Sequence, residues 1–316
     1  MDPIRSCDRF PNLSQSKIGK IEMSLLNLPN ELILMIAESL EAECEINALV
    51  QTNRHLYGLL NLSLYRLNIQ QNGSSALLWA AQHGQGTTAK TLINERTREE
   101  TVKGKIPYVR TVPETNQTPL SLAAEHGHES IISILLSQDS LDVNYGDYLG
   151  RTPLFCAAKN GHSTIVQLLL SAKCVDAHIR SNKCFRPCPG QTPLLVAAEY
   201  GQDAVIKILL DRGIDPTEKD SDGYTPLALA AENGHQSVVG LLLETKTIDP
   251  DSKTPSGQTP LSLAAQRGHI EVVKTLLSTN CVDPLSTGSD GHTALSLAAQ
   301  NFNQDIVELL QLHASV

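Results

Sequence analysis

Short apolar blocks separated by polar breaks run through most of the chain in one recurring line. Residues 223–243 read GYTPLALAAENGHQSVVGLLL and residues 257–277 read GQTPLSLAAQRGHIEVVKTLL. The line returns as NQTPLSLAAEHGHESIISILL from Asn116, GRTPLFCAAKNGHSTIVQLLL from Gly150, GQTPLLVAAEYGQDAVIKILL from Gly190 and GHTALSLAAQNFNQDIVELLQ from Gly291. A blurred copy, GSSALLWAAQHGQGTTAKTLI, starts at Gly73. The equivalent hydroxyl positions are Ser75, Thr118, Thr152, Thr192, Thr225, Thr259 and Thr293, separated by 43, 34, 40, 33, 34 and 34 residues. Seven units at a basic spacing of about 33 to 34 residues are a solenoid signal.

Each recurring letter has a mechanical task. The Thr hydroxyl before Pro-Leu accepts a free amide of a first helical turn, and Pro takes the first helical position, where no donor is missed. Leu and the Ala-Ala pair make this first helix thin enough for close approach. The Gly of the Gly-His pair supplies the backbone freedom that ends it. A second helix follows, whose apolar residues in one copy are Val238, Val239, Leu241, Leu242 and Leu243. They cover too much of its circumference for one buried face, so neighbouring units must press on it from more than one side. The expected fold is all-α: stacked helix pairs, none of which folds alone.

Over roughly residues 72–316 this pattern resembles the ankyrin repeat family, and the domain is set at 71–316. The chain departs from the family at the position after Thr-Pro-Leu, where the usual His is replaced by Ser121, Phe155, Leu195, Ala228, Ser262 and Ser296. The bonds made by that His must be remade or absent. Two stretches break the rhythm: 94–113, NERTREETVKGKIPYVRTVP, and 183–189, KCFRPCP. Both fall where the family places hairpin fingers and are expected to be solvated loops, with partner contact as the other reading. The resemblance implies that finger tips and the exposed side of each first helix line a concave face that holds a protein target. The copies differ most there. Taken by register, the candidate contact residues are Tyr148, Leu149, Arg151, Lys159, Gln191, Tyr200, Tyr224, Asn233, Gln258, Arg267 and His292, a strip with Tyr and Arg anchors of the kind that dominates binding energy.

Residues 25–68 do not fit the repeat. Leu28-Pro29-Asn30-Glu31 opens a helix with Leu32, Ile33, Met35, Ile36 and Leu40, more apolar surface than about 45 residues bury well. A helical run from Ile46 to Val50 leads through Asn53-Arg54 into Leu56, Tyr57, Leu59 and Leu60. The segment resembles the F-box, a three-helix motif that docks on the adaptor of cullin-RING ubiquitin ligases. On that resemblance Leu28, Pro29, Leu32, Ile36 and Leu40 would contact the adaptor, and the whole chain looks like a fungal class of F-box and ankyrin proteins. The alternative is that these helices only cap the solenoid. A small helical module is placed at 23–70, with Met23 as its start. Residues 1–22 are polar and aperiodic and are expected to be disordered.

Composition narrows the function. The formal net charge is −9 over 316 residues, which opposes the basic field of nucleic-acid binding. No apolar stretch is long enough to span a membrane. Seven Cys at scattered spacings suggest a reducing compartment, cytoplasmic or nuclear. Cys174, His178, Cys184 and Cys188 form a C-x3-H-x5-C-x3-C cluster able to grip zinc. Register places Cys174 on Cys281, Ser140, Gly213 and Thr247, so a packing preference for a small residue accounts for it and no metal is expected. His128, His162, His235 and His269 share one repeat position, where they serve the inter-helix turn. No phosphate loop, nucleophile elbow or dinucleotide fingerprint is found, so no catalytic residue or cofactor is expected. What remains is recognition: the substrate receptor of a cullin-RING ligase, monomeric outside its complex, or a stand-alone scaffold or inhibitor.

Overall fold

The computed structural model describes residues 75–103, 111–112, 115–138, 141–184, 188–279 and 281–314. Two compact units are present, one carrying Trp79 and the stretch from Thr87, the other Ala80–Gly86 and the chain from Thr111. The tail 1–22 and the F-box-like module 23–70 lie outside the described residues.

Helices α1 (Ser75–His83) and α2 (Gly86–Lys103) come first. Helix α2 corrects the expectation of a loop from Asn94, since Asn94–Lys103 continues the helix. The reason is local: NERTREETVK is rich in helix formers, Glu99 stands four residues before Lys103, and the first breaker is Gly104.

Six further pairs follow. Their first, inner helices are α3 (Pro119–His126), α5 (Pro153–Lys159), α7 (Pro193–Glu199), α9 (Pro226–Glu232), α11 (Pro260–Arg267) and α13 (Ala294–Gln300). The outer helices are α4 (Glu129–Leu136), α6 (Ser163–Ser171), α8 (Asp203–Asp211), α10 (Gln236–Glu244), α12 (Ile270–Leu277) and α14 (Gln304–Ala314). Between α6 and α7, β1 (Lys183–Cys184) and β2 (Cys188–Pro189) form a two-stranded antiparallel ladder with Cys184 opposite Cys188. The 183–189 stretch is thus a small hairpin finger rather than a featureless loop.

The threonine caps form as the letters demand. Thr118, Thr152, Thr192, Thr225, Thr259 and Thr293 have extended backbones, and each hydroxyl accepts the amide three residues on. Where Ser121, Ser262 and Ser296 stand in place of the family's His, the serine Oγ also accepts the cap's own amide at 2.7–2.9 Å, completing a capping box. Phe155, Leu195 and Ala228 have no such oxygen. The bonds expected of His are therefore partly remade by serine, in the first and the last two of these six pairs.

Inner helices pack on inner helices and outer on outer, from α3 to α13 and α4 to α14. Neighbours on both sides bury Leu154, Phe155, Cys156, Ala157 and Ala158 of α5 without a polar gap. Outer helices α4, α6, α8, α10 and α12 each bury a branched pair and a Leu one turn later, as in Val238, Val239 and Leu242. Leu241 and Leu243, expected to be covered with them, are only half-buried, because neighbours reach the flanks of an outer helix but not its back.

Candidate protein-binding surface

The six inner helices end side by side, and this end of the stack is held by two sets of internal bonds. One set crosses between units. His128, His162, His235 and His269 precede their outer helices, and each points Nε2 at a backbone carbonyl of the unit before: Gln82, Glu125, Glu199 and Glu232, at 2.8–3.1 Å. Facing a carbonyl, that nitrogen donates. Gln202 and Asn303 replace the imidazole with an amide, donating to Lys159 and Ala265. These histidines join one unit to the next, a role wider than the turn within a unit that the sequence suggests.

The second set lies within each unit. Where the residue before the capping Thr is Gln, it reaches eight positions along to the far end of its helix. Gln117 donates to Glu125 at 2.5 Å, Gln191 to Glu199, and Gln258 to Gln266 at 3.0 Å. Gln191 is fully buried, so it belongs to the scaffold and is withdrawn from the exposed strip. Arg151 sits 2.7 Å from the buried Asp147 carboxylate, and its charge is already met.

Other strip residues face solvent on fixed supports. Tyr148 is 62% exposed at its finger tip, while its backbone is held from both sides: its amide donates to Thr115 O, and its carbonyl accepts the Asn182 side-chain amide at 3.0 Å. Leu149 is half-buried beneath it. Tyr200 is 47% exposed, and the Lys159 ammonium lies 4.9 Å from its ring centre, a cation–π contact that joins neighbouring units. Arg267 is exposed and 2.6 Å from Glu232 of the preceding unit. Asn233 is exposed and ends α9 by donating its amide to Leu229 O at 2.9 Å. Tyr224 and His292 are half-buried, with Ser296 Oγ 3.3 Å from His292 Nδ1.

One feature escapes the repeat letters. Asp147, Asp220 and Thr254 stand five residues before Thr152, Thr225 and Thr259, and are buried with side-chain oxygens accepting the amides of Arg151, Tyr224 and Gln258. Each closes a finger and sets the direction of its tip. The available signal is a small acceptor at that fixed offset. Burial pushes the Asp220 carboxyl above its ordinary value.

The cysteine cluster divides. Cys174 is exposed, which corrects the packing explanation; its backbone is left-handed at φ +66, as is that of Gly213 at the same register, whereas Thr247 and Cys281 there are not left-handed. His178 Nδ1 lies 3.0 Å from Glu218 Oε1. Among the described residues no group of three or more His, Cys, Asp or Glu is placed to hold a metal. Cys156 is buried in α5, and burial pushes its thiol up to about 12. Leu28, Pro29, Leu32, Ile36 and Leu40, expected to meet an adaptor, lie outside the described residues. Among the described residues no helix is long and apolar enough to cross a membrane.

The family model for ankyrin repeats matches residues 103–183, 172–254 and 246–316. No curated protein matches the chain. With capped helix pairs stacked inner on inner and outer on outer, and a family match running over more than half of its length, the chain belongs to the ankyrin repeat family.

Proposed function

We propose that this ankyrin repeat protein holds a protein target against the ends of its inner helices, with Tyr148, Tyr200 and Arg267 as anchors and Lys159, Asn233 and His292 around them. Ankyrin repeats are protein-interaction modules, and the carrying observation is the exposure of Tyr148 and Tyr200 on backbones fixed by scaffold bonds. Rigid aromatic side chains offer contact area at low entropic cost. The chain acts by binding, without bond chemistry of its own, in the cytoplasm or nucleus. The pair α1 and α2 completes a set of seven repeat units.

Affinity capture with the full chain as bait, followed by mass spectrometry, tests the proposal. Proteins captured by the parent are expected to be lost with Tyr148→Ala plus Tyr200→Ala, while the bait stays folded and melts within a few degrees of the parent. An identical captured set would overturn it.

The F-box resemblance of residues 25–68 supports a finer role, the substrate receptor of a cullin-RING ubiquitin ligase, although the matched family models do not include an F-box. In that role Leu28, Pro29, Leu32, Ile36 and Leu40 meet the adaptor, and the receptor works by raising the target's effective concentration near the conjugating enzyme. Mixing the full chain with purified adaptor on a sizing column tests this directly. Co-elution with the parent and its loss in Leu32→Asp are expected. Failure of the parent to co-elute leaves the reading of a stand-alone scaffold or inhibitor.

A further inference from the structure

We infer that Cys184 and Cys188 form a reversible dithiol–disulfide pair that ties the finger between α6 and α7. Both cysteines lie in KCFRPCP, the stretch 183–189 that lengthens this junction beyond the repeat. The other units have no counterpart to either position, so no packing rule shared along the stack accounts for them. Cys156, Cys174 and Cys281 are free thiols.

The backbone supplies the placement. Strands β1 and β2 pair antiparallel, with Lys183 opposite Pro189 and Cys184 opposite Cys188. Rungs of such a ladder alternate between a pair that exchanges two backbone bonds and a pair that exchanges none. Pro189 has no N–H to give, so the bonded rung is the one at Cys184 and Cys188. Across a bonded rung the Cα atoms are about 5.5 Å apart, within the span of about 4.4–6.8 Å that a disulfide bridges. Directly opposed residues also share one face of the ladder.

A ladder of two rungs is marginal by itself, and here only the base of the finger is well fixed. Ser181 N donates to Gln191 O at 2.9 Å, Gln191 N to Ser181 Oγ at 3.0 Å, and the Arg180 guanidinium to Gly190 O at 3.2 Å. Asn182 carries that hold to the preceding finger, donating from its backbone to Leu149 O at 2.6 Å and from its side chain to Tyr148 O. A covalent rung at Cys184 and Cys188 extends the hold from the base toward the tip. On the reading of Tyr148 as an anchor, closure also steadies the support beneath it; the pairing of the thiols does not depend on that reading.

The oxidant is a small-molecule disulfide of the glutathione class. One cysteine thiolate attacks it, forming a mixed disulfide and releasing one small thiol. The second thiolate attacks the cysteine sulfur of that intermediate, closing the ring and releasing the other small thiol. The protein gives up two electrons and two protons, and the small disulfide takes them. Excess reduced glutathione runs the exchange backwards.

The test equilibrates the full chain with glutathione at stepped ratios of oxidised to reduced form, once folded and once unfolded in urea. Samples are quenched with acid, alkylated and digested with trypsin. Both cysteines fall in one peptide, 184–207, because Arg186 precedes Pro187 and resists cleavage. A closed pair is read by mass as the loss of two hydrogens with no alkyl group added. Folding is expected to lower the ratio needed for half closure at least about fivefold, because the hairpin sets the two residues opposite each other while the unfolded chain offers only their spacing. A smaller shift, glutathione on both cysteines of the folded chain, or two alkylated thiols under excess oxidised glutathione would overturn the inference.

Discussion

The joint between the units built on α7 and α9 gives the sharpest test of how the stack is held. His235 Nε2 lies 2.8 Å from Glu199 O, and its ring occupies the space beside Gly201, where a Cβ would fall 2.5 Å from Nδ1. Gly201 itself has φ +71. His235→Ala removes one interunit hydrogen bond, about 1 kcal/mol net. Gly201→Ala adds left-handed strain of about 1–2 kcal/mol and also displaces the imidazole, losing the same bond. The single changes therefore cost about 1 and 2–3 kcal/mol, but together only 2–3, because the bond is lost once. A coupling of about 1 kcal/mol follows, read from urea unfolding by far-UV circular dichroism. His235→Gln should cost under about 0.5 kcal/mol, since Gln202 makes the equivalent bond to Lys159 O at 3.1 Å. Additivity of the two changes within about 0.5 kcal/mol would refute the shared bond.

Three other expectations rest on separate features. Ser262→Ala removes the 2.9 Å bond from the Thr259 amide and is expected to cost about 1 kcal/mol, whereas Ala228→Ser supplies the missing half of a capping box and is expected to gain about 0.5 kcal/mol, both by urea titration. Under mild iodoacetamide treatment of the folded protein, the exposed Cys174 and Cys281 are expected to be alkylated and Cys156 spared, because its thiol is buried and raised to about 12; peptide mass spectrometry reads the sites. For Asp220, burial raises the folded carboxyl above its ordinary value of 3.8, so its contribution favours the fold below that value and is lost as pH rises through the folded value. Asp220→Asn should therefore gain stability relative to the parent at neutral pH, with the gain vanishing below pH 3.8, measured by thermal melts across pH.

Local chemistry made the stack legible from the letters. Thr-Pro-Leu specifies a capped helix start within four residues, and the branched pair with a Leu one turn later specifies the buried stripe. What escaped depends on neighbours or on backbone. The imidazole of His235 is legible as polar, but its acceptor is thirty-six residues away. Gln191 looks like a free surface amide until the approach of Glu199 and the hairpin beside it remove it from solvent. The charged run after Asn94 was legible as helix-forming, yet its place between units suggested a loop, and propensity prevailed until Gly104. Cys174 looked like a packing choice because its register-mates are small; its exposure in the fold removes that reading.

Tyr200 shows where stability and recognition compete for one position. Asn160, Asn233 and Asn301 stand at the same place in their units, the end of the inner helix. Each closes it twice, with its backbone amide and with a side-chain amide to the carbonyl four residues back at 2.9 Å. Tyr200 keeps the backbone closure to Ala198 and Val196 but has no side-chain amide to give the second. It presents an exposed ring to Lys159 instead. The lost cap bond is worth about 0.5–1.5 kcal/mol, and an exposed cation–π contact returns about 0.5–1. Tyr200→Asn is thus expected to leave the fold equal or up to about 1 kcal/mol more stable while removing the proposed anchor. Urea unfolding and affinity capture on the same variant separate the two roles. A variant less stable than the parent by more than about 1 kcal/mol would mean that the ring serves the scaffold, and that its exposure has no bearing on a partner.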